Sequence, residues 1–275
     1  VATGSINVIT LNMNRLIQQK RNLAEEVRKI HKYQVAFRKL IEEYKNAGLL
    51  PVYDAGFISL DKQFLTIGIN GMVEAAEYLD IAPTNNEQYK EFVRHHLKII
   101  YDENRKARQI YGYMFNTEFV PAENLGVKNA LWDKKSGLFS PRECYNSYFY
   151  AVEDDHINVL DKIILHGKEF IEYLDGGSAL HLNLEETPNK EGFFKLLNAT
   201  ALAGCNYFCF NIRITICNEC NHIDKRTLFE CPECHSENVD HATRVIGYLK
   251  RVSCFSTARQ KEHKLRHYHL STSKR

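Results

Sequence analysis

Two closely spaced cysteine pairs constrain the fold of this chain more than any other sequence feature. They are Cys217-x2-Cys220 and Cys231-x2-Cys234. A Cys-x2-Cys turn offers two thiolates to one ion, and two such turns joined by a short linker complete the tetrahedral site of a zinc ribbon. Four unrelated buried thiols fit this spacing poorly. We therefore expect these cysteines to bind one structural Zn²⁺, with no coordination position left open for catalysis.

Composition narrows the cellular setting and the classes of partner. The chain has 275 residues, eight cysteines and a net charge of +2, which gives no global electrostatic reason to bind nucleic acid or a membrane. Its first residues lack the basic stretch and apolar core of a signal peptide, and no run of about 18 apolar residues predicts a membrane span. We expect a reducing cytoplasm, where disulfide bonds do not compete with metal binding.

Gly247 lies downstream of the cysteine pairs, in the string RVIGYL. A glycine here can simply form a turn, because only glycine adopts positive φ without steric cost. The string also resembles the glycyl radical signature, in which an arginine precedes the glycine by three residues and a tyrosine follows it. A radical on the α-carbon is stabilised by delocalisation onto the flanking amides, and a side chain would obstruct the planar geometry that this requires.

The ribbon followed by RVIGYL resembles the anaerobic (class III) ribonucleoside-triphosphate reductases, specifically the phage T4-like branch. Three further segments agree: FLTIGING at 64–71, FVPAENLG at 119–126 and YLDGGSALH at 173–181. The resemblance covers nearly the whole chain. Other glycyl radical enzymes share the RVIGYL-like string, but the upstream ribbon disfavours them.

Hydrophobic periodicity predicts alternating helices and strands, and hence an α/β fold with a partly parallel sheet. We expect one long helix over 12–46 that stops near Gly48, and later helices over 72–79, from Asn85 or Asn86 to about 110, and over 191–203. Strands are predicted at 6–11, 64–69, 179–184 and 207–212. The segment 51–58 is predicted to be a short strand or one arm of a hairpin.

The resemblance implies the architecture more specifically. Residues 1–211 would form the second half of a ten-stranded α/β barrel, and residues 212–275 would form the zinc ribbon and glycyl radical module. The chain starts directly with a strand, as expected of a fold entered midway. We expect either a split gene product or a piece of a longer chain, whose open strand edges would lead it to pair or aggregate when isolated.

Glu123 is the candidate catalytic carboxylate. It follows a Val-Pro strand end, a place from which barrel enzymes commonly present catalytic groups, although a solvated turn is an equal alternative. By resemblance, Glu123 matches the family's active-site glutamate near the ribose. Glu118 is the alternative, and Asn124 is a weaker supporting candidate.

The remaining thiols are not expected to be catalytic. In the family that the chain resembles, the thiyl cysteine lies on a finger loop well before the ribbon, which places it upstream of Val1. We therefore interpret the other cysteines as small buried hydrophobes or idle thiols. They are Cys144, Cys205, Cys209 and Cys254.

Two further segments leave alternatives open. The glycine-rich turn at 174–178 could form an anion-binding nest or an ordinary loop. The basic C-terminal tail is expected to be solvated, with a phosphate or the activating partner as the less favoured ligand. The tail cations are Lys250, Arg251, Arg259, Lys261, Lys264 and Arg266.

The resemblance also implies a mechanism and partners. A radical-SAM activating enzyme would remove a hydrogen atom from Gly247, and the radical would pass to the thiyl cysteine and then to a ribonucleoside triphosphate, with formate as reductant. The N-terminal half of the reductase is therefore a required partner, the complete enzyme would be a homodimer in a bacterial host cell, and this chain alone should be inactive. The alternative, from another class, is a zinc-ribbon binding module without catalytic activity.

Overall fold

The computed structural model describes residues 3–119, 124–244 and 249–269. It contains a five-stranded sheet and a separate four-stranded sheet that carries the cysteine pairs. Together with the intervening helices, this arrangement confirms the predicted α/β class. None of the helices within the described ranges combines the length and apolar character needed to cross a membrane.

The five-stranded sheet is entirely parallel, and its strands follow one another in chain order. Each strand therefore needs a crossover connection to reach the next. The strands are β1 (Gly4–Asn12), β2 (Gln63–Asn70), β3 (Phe115–Phe119), β4 (Gly177–Leu184) and β5 (Tyr207–Ile212).

Helices supply these crossovers, and two of them exceed 20 residues. The helices are α1 (Met13–Gln18), α2 (Leu23–Asn46), α3 (Pro51–Asp54), α4 (Met72–Tyr78), α5 (Glu87–Tyr111), α6 (Leu125–Lys135), α7 (Val159–Ile164), α8 (Lys168–Ile171), α9 (Lys190–Ala203) and α10 (Thr257–Leu265).

The single helix predicted over 12–46 is wrong, because the structure divides it into α1 and α2. Lys20 adopts a positive φ of 51°, and Asn22 then begins a new helix by accepting a hydrogen bond from the backbone N–H of Glu25. The break lets α1 pack on α4 while α2 packs on α5 and β1. A new N-cap therefore outweighs the continuous apolar periodicity on which the prediction relied.

The segment 51–58 is also not a strand. Pro51 begins the short helix α3, a position where its missing N–H costs nothing, and a 3₁₀ turn over Leu60–Lys62 leads directly into β2. The predicted stop near Gly48 is confirmed, since α2 ends at Asn46 and Gly48 has a φ of 70°.

The two faces of the parallel sheet differ in chemistry. One face is apolar and packs against the crossover helices through residues such as Leu65, Ile67 and Leu182. The alternating positions point to the opposite face and are polar, among them Thr66 on β2 and His181 on β4. The apolar face holds the core, and the opposite face carries the polar side chains that chemistry would require.

The second sheet is antiparallel, in the order β7-β6-β8-β9. Its strands are β6 (Ile214–Cys217), β7 (Ile223–Asp224), β8 (Val239–Arg244) and β9 (Leu249–Arg251). It joins the parallel sheet directly, because only Arg213 separates β5 from β6. The chain then forms α10, and its final described residue, His269, pairs with Leu184 on the edge of β4 opposite β5.

A buried ion cluster ties α4 to the segment after α6. The Arg142 guanidinium contacts Glu74 (2.7 Å), Glu77 (2.8 Å) and Glu153 (2.8 Å), and the Glu74 side chain is fully buried. Burial raises the pKa of Glu74, which is therefore sensitive to the loss of its cation.

Arg142→Met should destabilise the chain by about 3 kcal/mol, because it leaves the Glu74 carboxylate buried without a partner. Urea unfolding followed by circular dichroism measures the change in free energy. Lys195→Met is the matched control, since Lys195 forms an exposed pair with Glu191; it should leave the unfolding midpoint unchanged. Equal midpoints for the two variants would contradict this assignment.

Candidate functional site

The four cysteines predicted to bind zinc converge in the second sheet. Their sulfur atoms all lie within 4.8 Å of one another, with Cys217 Sγ 3.5 Å from Cys234 Sγ and Cys220 Sγ 3.6 Å from Cys231 Sγ. A tetrahedral zinc with Zn–S bonds of about 2.3 Å requires sulfur atoms about 3.8 Å apart. The thiols are therefore already placed for a zinc ion.

The two cysteine turns have the same local backbone design. Cys217 donates its N–H to the carbonyl of His222, and Cys231 donates to the carbonyl of Ser236, at 2.9 Å in each case. The residue after each second cysteine has positive φ: 61° at Asn221 and 57° at His235. Each turn thus directs its two thiols to the same side.

The chemistry of the donor set fits zinc in a structural role. Four thiols and no carboxylate or imidazole complete a Cys₄ site, which zinc favours and which leaves no position for substrate. The backbone N–H of Cys220 lowers the pKa of the Cys217 thiol to about 6, which favours the thiolate that a metal requires. Cys217, Cys220, Cys231 and Cys234 would hold the ion between β6 and β8.

Polar side chains line the carboxyl ends of the parallel strands. Asn70 on β2 accepts from Asn129 (2.8 Å) and donates to the carbonyl of Asn146 (3.1 Å). Asn183 on β4 accepts from Asn211 on β5 (2.8 Å). The carboxyl ends of parallel strands are where open α/β sheets and barrels usually bind ligands. These asparagines therefore mark the carboxyl edge of the sheet as the candidate ligand-binding edge.

Glu118, on β3, is the candidate carboxylate that the structure describes. Its registered neighbours on both sides are glycines, Gly68 on β2 and Gly177 on β4, so no adjacent side chain crowds it. It is half-buried, and burial raises its pKa above the ordinary value of a glutamate. A raised pKa favours the protonated form of this carboxyl group, which is the form that a general acid requires.

Two of the candidate residues, Glu123 and Gly247, lie outside the described residues. Their described neighbours are informative. Asn124 precedes α6 without forming a side-chain cap. Arg244 on β8 pairs with Leu249 on β9. The backbone of Arg244 is also hydrogen-bonded to the side chain of Asn211, near the end of β5.

The four cysteines outside the cluster differ in burial. Cys144 is buried, and burial raises the pKa of its thiol to about 12; burial likewise raises the pKa of Cys205 to about 11. Both agree with small buried hydrophobes. Cys209 is partly buried and Cys254 is exposed, so for Cys254 the alternative of an idle thiol stays a prediction.

The glycine-rich turn at 174–178 is built as an ordinary loop. The N–H of Gly176 donates to the carbonyl of Thr117 (2.8 Å), and the N–H of Gly177 donates to the carbonyl of Leu174 (2.9 Å). The Asp175 carboxylate accepts the N–H of Thr117. With these amides engaged and a carboxylate beside them, the turn does not form an anion nest.

The expectation of a solvated tail is wrong for two of its cations. Arg259 and Arg266 are buried on or next to α10, and both pair with Glu262. Arg266 also reaches the carbonyl of Arg244. Two arginines of the charge run therefore make structural contacts, whereas Lys261 and Lys264 are exposed.

Sequence analysis missed two groups near the strand ends. Tyr148 lies 3.1 Å from His181 Nδ1, and Tyr150 donates to the carbonyl of His181 (3.0 Å). Asn211 is the other, a polar residue at an alternating position of the apolar strand YFCFNI. That alternation was a usable signal for Asn211, whereas nothing local to residues 144–150 indicates the contact with His181.

Comparison with known proteins places these observations in a family. A family model described as anaerobic ribonucleoside-triphosphate reductase matches residues 1–269. A solved structure described as anaerobic ribonucleotide reductase is 32% identical, with a TM-score of 0.89, over 98% of this chain and 45% of that chain. A comparison with curated proteins found no match.

Two similar structures are of the anaerobic ribonucleotide reductase from Thermotoga maritima. The one in complex with dATP and CTP is 31% identical with a TM-score of 0.84, over 94% of this chain and 45% of that chain. The one with dATP in the specificity site is 32% identical with a TM-score of 0.82, over 92% and 44%. The chain thus spans less than half the length of these solved structures.

Proposed function

Because the chain belongs to the anaerobic ribonucleoside-triphosphate reductase family, we propose that it is the part of such an enzyme that carries the radical glycine, Gly247, and a structural zinc site. Residues 1–211 would supply the second half of the ten-stranded barrel. Residues 212–275 would supply the zinc ribbon and glycyl radical module. The branch we propose is the phage T4-like one.

One observation carries this proposal. The backbone of Arg244, three residues before Gly247 in the sequence, is hydrogen-bonded to Asn211 at the carboxyl end of β5. The segment that contains Gly247 therefore begins at the edge of the parallel sheet where ligands usually bind. This supports a role for the glycine in chemistry rather than in a remote turn.

The proposed reaction starts with loss of one hydrogen atom from the α-carbon of Gly247 to a radical-SAM activating enzyme. The glycyl radical then takes the S–H hydrogen of a cysteine in the completing half, and the resulting thiyl radical takes the 3′-hydrogen of a ribonucleoside triphosphate. The 2′-hydroxyl leaves as water, and formate supplies the two reducing electrons as it becomes carbon dioxide. The protein's part is to hold these groups in place and exclude water and oxygen.

Glu123 is the proposed active-site glutamate near the ribose, with Glu118 as the alternative. Glu118 has two supporting features: flanking glycines and a pKa that burial raises. Either carboxyl group would exchange a proton with the ribose hydroxyls during loss of the 2′-hydroxyl.

The proposed partners follow from the open edges of the parallel sheet. Within the described sheet, β1 and β5 each have a single neighbouring strand, and Val8 on β1 is 45% exposed. Open edges of this kind favour pairing with another chain or segment. We propose that the N-terminal half covers them, that the complete enzyme is a homodimer in the cytoplasm of a bacterial host, and that the chain alone is inactive.

The alternative of a zinc-ribbon binding module is not favoured. The family model extends over residues 1–269 rather than the ribbon alone. Two of the tail cations that a nucleic acid would contact, Arg259 and Arg266, are buried against Glu262 instead.

Anaerobic reconstitution tests the proposal. The chain is combined with a completing N-terminal half and a radical-SAM activase, and deoxyribonucleotide formation from a ribonucleoside triphosphate and formate is measured. Product should form with the complete set and not with this chain alone. Salt-sensitive DNA binding by the chain, without product from the complete set, would instead favour the binding module.

A further inference from the structure

Asn211 fixes both backbone polar groups of Arg244 with one side chain. Its Oδ1 accepts from the Arg244 N–H (3.0 Å) and the Thr243 hydroxyl (2.9 Å). Its Nδ2 donates to Asn183 Oδ1 (2.8 Å) and to the Arg244 carbonyl (3.3 Å). The residue is only 1% exposed, and this set uses both donors and both acceptor positions of the amide.

Arg266 holds the same backbone group from the other side. Its Nη1 donates to the Arg244 carbonyl at 3.1 Å. Its Nε and Nη2 donate to the two carboxylate oxygens of Glu262, at 2.7 Å and 2.9 Å. This bidentate pair is almost fully buried, so the guanidinium has a defined orientation.

These contacts are not needed to align the second sheet. β8 already pairs with β6 from Ile214 to Cys217 and with β9 at its other edge. Cys217 pairs with Val239 at the start of β8, whereas Arg244 is at its end. The cysteine cluster therefore fixes one end of β8, and Asn211 and Arg266 fix the other.

We infer that Asn211 and Arg266 are positioning residues, which fix the backbone of Arg244 and thereby set where the segment carrying Gly247 leaves β8. The Arg244 clamp consists of Asn211, Arg266 and Glu262. Its effect on the radical rests on the proposed function, but the clamp itself does not. Transfer of a hydrogen atom needs close approach, and a misplacement of about 1 Å costs on the order of 100-fold in rate.

Asn211→Asp tests the clamp with little change in volume. The aspartate has a second oxygen where asparagine has its NH₂ group. That oxygen cannot donate to the Arg244 carbonyl or to Asn183 Oδ1, so both hydrogen bonds are lost and acceptors face each other. Asn198→Asp is the matched control, because Asn198 is exposed on α9. Arg266→Lys is a second, independent variant. It keeps the positive charge beside Glu262 but loses the planar guanidinium that donates to Glu262 and to the Arg244 carbonyl at the same time.

The first measurement is tryptic cleavage after Arg244 in the zinc-loaded chain combined with its completing half, before activation. We expect cleavage to be about tenfold faster in Asn211→Asp and Arg266→Lys than in the wild type and the control, because local opening of the backbone limits proteolysis. Zinc content should be equal in all four proteins. Unchanged cleavage in both clamp variants would overturn the clamp.

The second measurement is the yield of glycyl radical per chain in the activated complete enzyme, by EPR. We expect it to fall by about tenfold or more in both clamp variants, at unchanged zinc content. Faster cleavage with a normal radical yield would overturn the positioning role. A wild-type enzyme that forms no radical would overturn the proposed function, while the cleavage result would still decide whether the clamp exists.

Discussion

Gly247→Ala should abolish the radical and, with it, nucleotide reduction by the complete enzyme. A methyl group on the α-carbon hinders the planar arrangement that delocalises the unpaired electron. Turnover should fall by at least about 10⁶-fold, the lower range of enzymatic rate enhancements, because no alternative group in the chain is proposed to hold the radical. EPR of the anaerobically activated enzyme and a deoxyribonucleotide assay measure the two effects.

Gly192→Ala is the control for this substitution. Gly192 lies in the first turn of α9, where a Cβ would meet Asn189 Oδ1 at 3.3 Å and no backbone atom, so the chain should accept it. Both variants should retain zinc. A normal radical signal in Gly247→Ala would show that another residue holds the radical.

Cys231→Ser should remove zinc and unfold the ribbon. Cys231 is fully buried at the cluster, and loss of one of four thiolates removes much of the binding free energy, which is about 10–16 kcal/mol for structural zinc sites. Zinc measured by atomic absorption should fall from about one ion per chain to about none. Amide exchange should rise across residues 214–244 and leave β1 to β4 protected.

Radical formation should fail in the same variant for an indirect reason. β8 ends at Arg244, so a disordered ribbon no longer places the segment that begins at residue 245. Cys254→Ser, which changes an exposed cysteine outside the cluster, should keep zinc and radical alike. A zinc-free Cys231→Ser enzyme with a normal radical yield would contradict this dependence.

Features encoded locally could be predicted from the sequence. The spacing of the cysteine pairs determines a turn geometry, and the structure brings all four thiols together as expected. The helix over 72–79 was also predicted. It follows Gly71, which takes a φ of 76° at the start of α4, a conformation that glycine adopts without steric cost. Alternation of apolar residues was enough to place β2, β4 and β5.

Features that depend on distant partners could not be predicted. The break before α2 results from Asn22 and from packing of α1 on α4, which apolar periodicity does not reveal. Arg266 belongs to a basic run that the sequence predicts to be solvated. Only the folded structure shows that Glu262 and the Arg244 carbonyl lie beside it.

Oxygen exposure of the activated enzyme tests the central claim most directly. The enzyme is activated anaerobically until EPR shows a radical, air is admitted, and the mass of this chain is determined. Because a glycyl radical reacts with oxygen at its own α-carbon, the chain should be cut at Gly247, which yields one large piece and one short C-terminal piece. An intact chain from a sample shown to contain the radical would contradict the assignment of Gly247.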